Sequence, residues 1–386
     1  MISMFNVPST IIVGGGASEE AGAQAKRFGA KRVLLVTDPY MVKCGLGGRI
    51  SDNLKKEGIS VTLFADVEPD PTDRNVADGL SAFRGGDCDA IVGLGGGSSL
   101  DCAKGISIMT TNEMPISQYA GLHKVPNKGV PVIAIPTTAG TGAEVTKVAI
   151  IGDTERDVKM MILDVNILPD CALVDYQLTM SCPPDLTANV GIDTLVHAVE
   201  AYVSIKASPM TDPIALSAIR LISENLLTAF NEPDNQKARE GMMMASLQGG
   251  MAFPNSSVCL VHGMSRPIGA LYHVPHGLSN AVLFPAVTEF SISGAPQRYA
   301  IIARAMGYAS ENNPDDVACS ALVDGLKKFN EDLKIPHLGD VVGVDRATFD
   351  QKVEKMANDG IASGSPNNNP VVPTAAQIVD LYHQAW

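Results

Sequence analysis

The sequence predicts two successive architectures: an α/β domain built on a parallel sheet over residues 1–180, and an all-helical domain over 181–386. Three observations carry this. Up to about residue 180, short β-branched runs alternate with stretches of helical spacing, and the runs are apolar throughout. Strands covered on both faces by crossover helices read this way. Beyond 180, helical segments follow one another with no convincing strand between them. The length of 386 residues also exceeds what one hydrophobic core usually serves.

In chain order, the strand candidates are "TIIVGG" (10–15), "RVLLVT" (32–37), "SVTLFA" (60–65), "DAIVGLGG" (89–96) and "PVIAIP" (131–136), each bounded by turn residues. Helical spacing over 18–28, 41–57, 73–84 and 98–110 supplies the crossovers. Segment 145–163 reads as a hairpin turning at Gly152-Asp153, and "ALVDYQL" (172–178) as a last strand. "PPDLTANVGIDTLVHAVEAYVS", "TDPIALSAIRLISENLLTAF" and "NQKAREGMMMASLQGGMAF" open the helical half, with Asp212 as N-cap and Pro213 in the first turn. The loop "GSPNNNPVVPT" (364–374) suggests no function.

Composition narrows the business of the chain. It is 45% hydrophobic and 18% charged, which is globular rather than disordered. The formal charge of -13 would repel phosphate backbones, so no nucleic-acid partner is expected. No apolar run approaches the roughly 20 residues of a membrane span, so no membrane partner is expected. "MISMFNVPST" lacks the basic start and apolar core of a signal peptide. Seven scattered cysteines without a C-x-x-C pair read as reduced thiols, and the cytoplasm is the expected location.

Two loops point to a bound anion. "AIVGLGGGSSLDCAK" (90–104) places three consecutive glycines between a strand and a helix, where close backbone approach and a helix start suit a phosphate. It is neither a G-x-G-x-x-G loop nor a Walker A loop. "IPTTAGTGAEVT" (135–146) adds the hydroxyls of Thr137, Thr138 and Thr141 at a second strand end. Ligand-free turn chemistry explains either loop alone; both at one sheet edge suggest a dinucleotide. Asp38, just past a strand end, suits a ribose 2′-hydroxyl and would favour NAD over NADP, or else it caps the next helix.

A second constellation lies in the helical half. In "GIDTLVHAVEAY" (191–202), offsets of four and seven put Asp193, His197 and Glu200 in one stripe of an otherwise apolar helix. "LVHGMSRPIGALYHVPHGLSN" (260–280) holds His262, His273 and His276 among glycines and prolines rather than on one regular face. The chemical reading is a metal held by Asp193, His197, His262 and His276, a set that suits Fe²⁺ or Zn²⁺. The plain one is an acid complementing a helix dipole and histidines satisfied in a core.

Taken in order, "GGGSSLDCAK", "PTTAGTGAEVT", "GIDTLVHAVEAY" and "HGMSRPIGALYHVPHGLSNA" resemble the motifs of the iron-containing alcohol dehydrogenase family, over essentially the whole chain. The resemblance implies a nucleotide-binding α/β domain followed by a helical metal domain of the dehydroquinate synthase-like kind, with the active site in the cleft between them. It implies NAD and Fe²⁺ as cofactors, with Zn²⁺ also accepted by the ligand set. The substrate would be a small alcohol, aldehyde or ketone, and the assembly a homodimer or larger homo-oligomer. Carried over by position, Asp193, His197, His262 and His276 are the metal ligands. Gly95, Gly96, Gly97 and Ser98 hold the pyrophosphate, with Asp101 near the nicotinamide or its ribose. Thr137, Thr138 and Thr141 line the cofactor, and Asp38 is the NAD-selecting acid. Asp70 falls near the adenine, Lys159 beside the nicotinamide ribose, and Leu178 against the cofactor. Glu200 is not a ligand; it either supports the site or forms a helix pair.

The chain departs from the family where many relatives have a histidine and it has Arg266. That leaves proton transfer to His273, or Arg266 to an acidic substrate group. "SSLD" replaces the usual "SPHD" or "SPID", and Val371 replaces the arginine of "NNPR". The expected chemistry is reversible hydride transfer between an alcohol carbon and NAD, with the metal polarising the oxygen. The rival readings are a zinc-using glycerol dehydrogenase-like or dehydroquinate synthase-like enzyme, and a non-catalytic NAD-binding sensor.

Overall fold

The computed structural model describes residues 3–386 and divides into two compact units, Asn6–Ser181 and Cys182–Trp386, the latter joined by the N-terminal Ser3–Phe5. The first unit is built on β1 (Thr10–Val13), β2 (Arg32–Val36), β3 (Ser60–Phe64) and β4 (Ala90–Gly95). A short β5 (Gly121–Leu122) follows, then β6 (Val132–Pro136), β7 (Val148–Asp153), β8 (Val158–Leu163) and β9 (Cys171–Val174). Six strands form one parallel sheet in the order β1-β9-β6-β4-β2-β3, and β5-β8-β7 form a small mixed sheet.

Burial explains why the central strands are apolar without interruption. Every residue of β4, β6 and β9 is buried, whereas the edge strands β1 and β3 are half-exposed. Successive residues of a strand point to opposite faces, and each face has its own core. Leu34, Val36 and Ile91 join one cluster; Val33, Leu35, Val92 and Leu94 join the other.

Several expected boundaries move, each for a local reason. The 41–57 helix is two pieces, Pro39–Lys43 and Leu46–Lys56, separated at Gly45. The 18–28 stretch starts as a 3₁₀ turn, Ala17–Glu20, before the helix Ala21–Arg27. The hairpin does not turn at Gly152-Asp153. β7 runs through both residues, and the turn begins after Asp153, whose carboxylate accepts the Glu155 and Arg156 backbone N–H groups. The last strand stops at Val174 because buried Asp175 caps a 3₁₀ turn, Tyr176–Thr179, and accepts from Gly16 and Ser18.

The second unit contains helices and no strand among the described residues. Pro184–Val203, Asp212–Asn231 and Gln236–Ala252 are followed by Leu260–Tyr272, His276–Ser291 and Pro296–Ala305, then by Asp315–Asp332, Val353–Ala362 and Ala375–Ala385. Thr211, not Asp212, is the N-cap of its helix; Asp212 is its first residue and pairs with Arg298 at 2.7 Å. No described helix is long and apolar enough to cross a membrane.

Inside the first unit, a buried ionic group joins the Gly97–Met109 helix to β7. Lys104 Nζ lies 3.3 Å from Asp101 and donates to Thr146 Oγ1 and the Val148 carbonyl, while Asp101 Oδ2 accepts from the Ile150 N–H. Glu144 is also buried, and burial pushes its pKa up to about 7, opposed by a backbone hydrogen bond and by Lys104. Between pH 4.5, the ordinary value, and about 7 the folded chain holds a proton that the unfolded chain has released. Stability is therefore fully present below that window and falls as pH rises through it. We predict that Glu144→Gln removes this loss, on the order of 3 kcal/mol by linkage. Melting curves from pH 4 to 8 check it; an unchanged slope refutes it.

Candidate metal centre and glycine-rich loops

The metal-site stripe lies on the Pro184–Val203 helix, where burial is complete from Ile192 onward, so three polar side chains there require partners. Asp193, His197 and Glu200 are all buried. Contrary to expectation, His262 sits on a regular helix, Leu260–Tyr272, although Pro267 lies inside it. His276 is the first residue of the next helix, His276–Ser291.

Three of the four expected ligands converge. Asp193 Oδ1 lies 3.7 Å from His262 Nε2 and 3.9 Å from His276 Nε2, and the three atoms could hold one cation. His197 is beside this group rather than within it. Its ring stacks between Phe253 (centroids 4.2 Å) and His262 (4.5 Å), and its Nδ1 is 4.0 Å from Asp193 Oδ2.

Glu200 proves to be the support that the sequence left open. Its carboxylate accepts the N–H groups of Cys259 (2.8 Å) and Val261 (2.6 Å) and faces His262 Nδ1 at 2.7 Å. With the ring proton on Nδ1, the Nε2 lone pair points at the cation position. Burial pushes Glu200 up to about 7, against the pull of those hydrogen bonds, and drives His262 well below 6.5, so its ring is neutral as a ligand must be.

The glycines after the histidines serve packing between helices. A Cβ on Gly277 would sit 2.4 Å from the Asn189 carbonyl oxygen, so the His276 helix lies directly on the Asp193 helix. A Cβ on Gly263 would strike Pro366. The loop 364–370, read as featureless, is in fact a clamp. Ser365 accepts from Arg266, Asn368 Nδ2 donates to Ser257 and Val258, and Asn369 Nδ2 donates to Ser291. Arg266 is thus tethered at 3.1 Å to Ser365, and His273 is an exposed left-handed residue ending its helix.

Asn280, which sequence reasoning passed over, is fully buried in the same place. Its Nδ2 lies 2.6 Å from Asp193 Oδ1, 3.3 Å from His262 Nε2 and 3.2 Å from His276 Nε2. Its Oδ1 is buried without a hydrogen-bond partner. The only available signal was its position four residues after His276, one helical turn on. One carboxylate, neutral imidazoles and an orphaned amide oxygen fit a borderline divalent cation such as Fe²⁺ or Zn²⁺.

In the first unit the two loops lie side by side. A Cβ on Gly97 would meet Thr141 Cγ2 at 3.0 Å, and one on Gly96 would meet Thr138 at 3.6 Å, while the Thr137 N–H donates to Gly95 O. Gly95 has φ +145°, and a Cβ there would strike Ser99 Oγ at 2.5 Å. The Gly97–Met109 helix begins without a side-chain cap, leaving its first N–H groups for an anion. Asp70, Ser98 and Lys159 form one polar group: Asp70 N–H donates to Ser98 Oγ, and Lys159 pairs with the Asp70 carboxylate at 2.8 Å.

Asp38 satisfies the helix-cap reading, accepting from Met41 N–H at 3.0 Å, while its other oxygen accepts from Ser99 Oγ beside Gly95. It therefore caps a helix and places a carboxylate against the glycine loop. Asp101 and Leu178, the two other residues expected near the cofactor, have partners within the unit. Asp101 pairs with Lys104 and accepts from the Ile150 N–H, and Leu178 is buried in one of the hydrophobic clusters.

Both parts of the chain match models of one family. Residues 8–176 match the iron-containing alcohol dehydrogenase model, and 187–386 match the C-terminal model of the Fe-containing alcohol dehydrogenase family. The chain is 39% identical to a 1,3-propanediol dehydrogenase of Citrobacter freundii, covering 99% of this chain and 98% of that one. It is 36% identical to an NAD-dependent methanol dehydrogenase of Bacillus methanolicus, covering 99% of both. A crystal structure of a 1,3-propanediol oxidoreductase superposes with a TM-score of 0.97 at 38% identity, covering 100% of each chain. The chain belongs to the iron-containing alcohol dehydrogenase family and is an NAD-dependent, metal-using oxidoreductase of alcohols and aldehydes.

Proposed function

We propose that the chain interconverts a small primary alcohol or diol with its aldehyde, using NAD and an Fe²⁺ ion held by Asp193, His262 and His276, with His197 completing the set from the stacked ring. Convergence of those three ligand atoms around a tautomer set by Glu200 carries the reading. A bound divalent cation supplies Lewis acidity to an alcohol or carbonyl oxygen, and NAD supplies the hydride acceptor or donor. Asp193 offsets the ion's charge, and Glu200 keeps His262 turned toward it. His273, exposed three residues before His276, passes the hydroxyl proton to solvent, while Arg266 orients the substrate end of its helix from its tether on Ser365.

For the cofactor, Gly95, Gly96, Gly97 and Ser98 receive the pyrophosphate at an uncapped helix start, with Thr137, Thr138 and Thr141 alongside. Asp70 and Lys159 lie toward the remaining sugar and base. Asp38 accepts from the ribose hydroxyls and repels a 2′-phosphate. Asp38→Ser is expected to raise the NADP-to-NAD ratio of kcat/KM by roughly tenfold or more, from about 1–4 kcal/mol of removed repulsion. Serine keeps the helix cap, so melting temperature should hold; an unchanged ratio refutes this role.

The size of the substrate is argued from the relatives, whose names specify propanediol and methanol. Seven free thiols support a cytoplasmic setting, and family membership supports a homodimer or larger homo-oligomer; a monomer by light scattering would rule that out. The deciding experiment pairs metal analysis of anaerobically purified protein with NAD-linked turnover of C2–C6 alcohols, diols and hydroxyacids. No bound metal, or no turnover of any short alcohol, sinks the proposal. In the same assay His273→Ala should lower kcat about 10²-fold, a modest general acid–base effect, and flatten the pH profile. An unaltered profile removes His273 from the proton path.

A further inference from the structure

We propose that Asn280 is a metal-responsive residue of this centre: its amide nitrogen holds the ligands in register before loading, and its carbonyl oxygen turns to face the ion afterwards. The inference rests on the metal centre proposed above.

Asn280 Nδ2 contacts all three atoms that would hold the cation, at 2.6, 3.3 and 3.2 Å. An amide NH₂ has two protons, so three acceptors over-subscribe it. The short contact to Asp193 is the charge-assisted one. In this orientation the amide substitutes for a cation. It presents positive hydrogens to a carboxylate and imidazole lone pairs that would otherwise repel one another.

The other end of the same amide completes the argument. Oδ1 is buried without a partner, at a site that is 0% exposed. An unpaired buried carbonyl is costly, and the helix fixes Asn280 one turn beyond His276, leaving few other places for the side chain to go. Once a cation lies at the focus of the three acceptors, the N–H groups point positive charge at positive charge. Turning the terminal amide over exchanges N for O within nearly the same volume, because that torsion is roughly two-fold. The carbonyl oxygen then gains its missing partner and the amide protons leave the ion. No aliphatic or carboxylate side chain serves both states: leucine offers neither donor nor acceptor, and aspartate cannot donate to Asp193.

The test compares native protein, Asn280→Leu and Asn280→Asp, each freed of metal and titrated with Zn²⁺ and, anaerobically, Fe²⁺ against a competing chelator. Melting temperatures are measured without and with metal, and Co²⁺-substituted protein is followed by its visible absorption. Asn280→Leu should loosen metal binding by about 10-fold or more, the usual cost of losing a group that supports a metal site. Asn280→Asp should tighten it by at least about 10-fold, because ligand charge count sets affinity. Both variants should melt lower than native protein when metal-free, and both should shift the Co²⁺ bands. A purely structural asparagine would lower both melting temperatures without opposite shifts in affinity. Native protein that takes up no metal defeats the centre itself. Native protein that binds metal, with variants of equal affinity and unchanged Co²⁺ spectra, defeats only the role of Asn280. Should Asn280→Asp not fold, the affinity of Asn280→Leu decides alone.

Discussion

Asp193→Ala is expected to abolish stoichiometric metal uptake and to lower kcat/KM for alcohol oxidation by on the order of 10³-fold or more, since Lewis-acid stabilisation supplies several kcal/mol of the barrier reduction. The reason lies in the charge balance. Asp193 is the one carboxylate among the three converging ligand atoms, and it is almost wholly buried. Without it, a dication would face only neutral imidazoles. Removing a buried carboxylate beside neutral histidines leaves no unpaired charge, so folding should survive. NAD binding, proposed above for the glycine loops of the other unit, should also survive. Metal analysis, NAD titration and turnover measured on one preparation check the claim. Retained metal with retained rate would show that Asp193 is an ordinary helix acid.

Gly277→Ala is expected to lower the melting temperature by several degrees and to weaken metal binding at the same time. Two effects oppose each other. Alanine gains about 1 kcal/mol of helix propensity over glycine. Against this, its Cβ would sit 2.4 Å from the Asn189 carbonyl oxygen and 2.9 Å from the carbonyl carbon. Those are backbone atoms within a helix and cannot rotate away as a side chain would, so the two helices must separate. Overpacking of this kind costs typically 1–3 kcal/mol, and the clash outweighs the propensity gain. Because His276 precedes Gly277 and Asp193 lies on the opposing helix, the separation is applied across the cation position itself. A thermal melt together with a chelator competition checks both halves. Loss of stability with unchanged affinity would confine the effect to packing.

Much of this was legible because it is periodic or local. The alternation of apolar runs and helices located all six strands of the main sheet, since burial on both faces suppresses the polar alternation of a one-sided strand. The stripe of Asp193, His197 and Glu200 was readable from 3.6-residue geometry, and the two glycine loops from their place between strand and helix. What stayed hidden depends on side-chain hydrogen bonds between distant segments. Asp38 reads as either cap or ribose ligand, because sequence does not say that one of its oxygens caps the helix while the other accepts from Ser99. The resemblance sets Asp101 near the nicotinamide, but sequence does not show that Lys104, three residues on, pairs with its carboxylate. The hairpin turn was misplaced because Gly152 looked like a turn residue, whereas it lies within β7 and its N–H donates to Pro71 O. Asn280 bears no charge, and its place one turn after His276 is a weak signal, so its three contacts identify it.

The clamp at residues 364–370 has a consequence for the order of assembly. Asn368 and Asn369 tie the segment to Ser257, Val258 and Ser291, while Pro366 packs on Gly263, immediately after His262. The His262 backbone is thus seated by amino acids about a hundred positions downstream. A ribosome-bound chain halted before this stretch would carry every ligand and still lack the brace that aligns them. Ion capture should therefore follow docking of this stretch rather than act as a nucleus around which the helical half condenses.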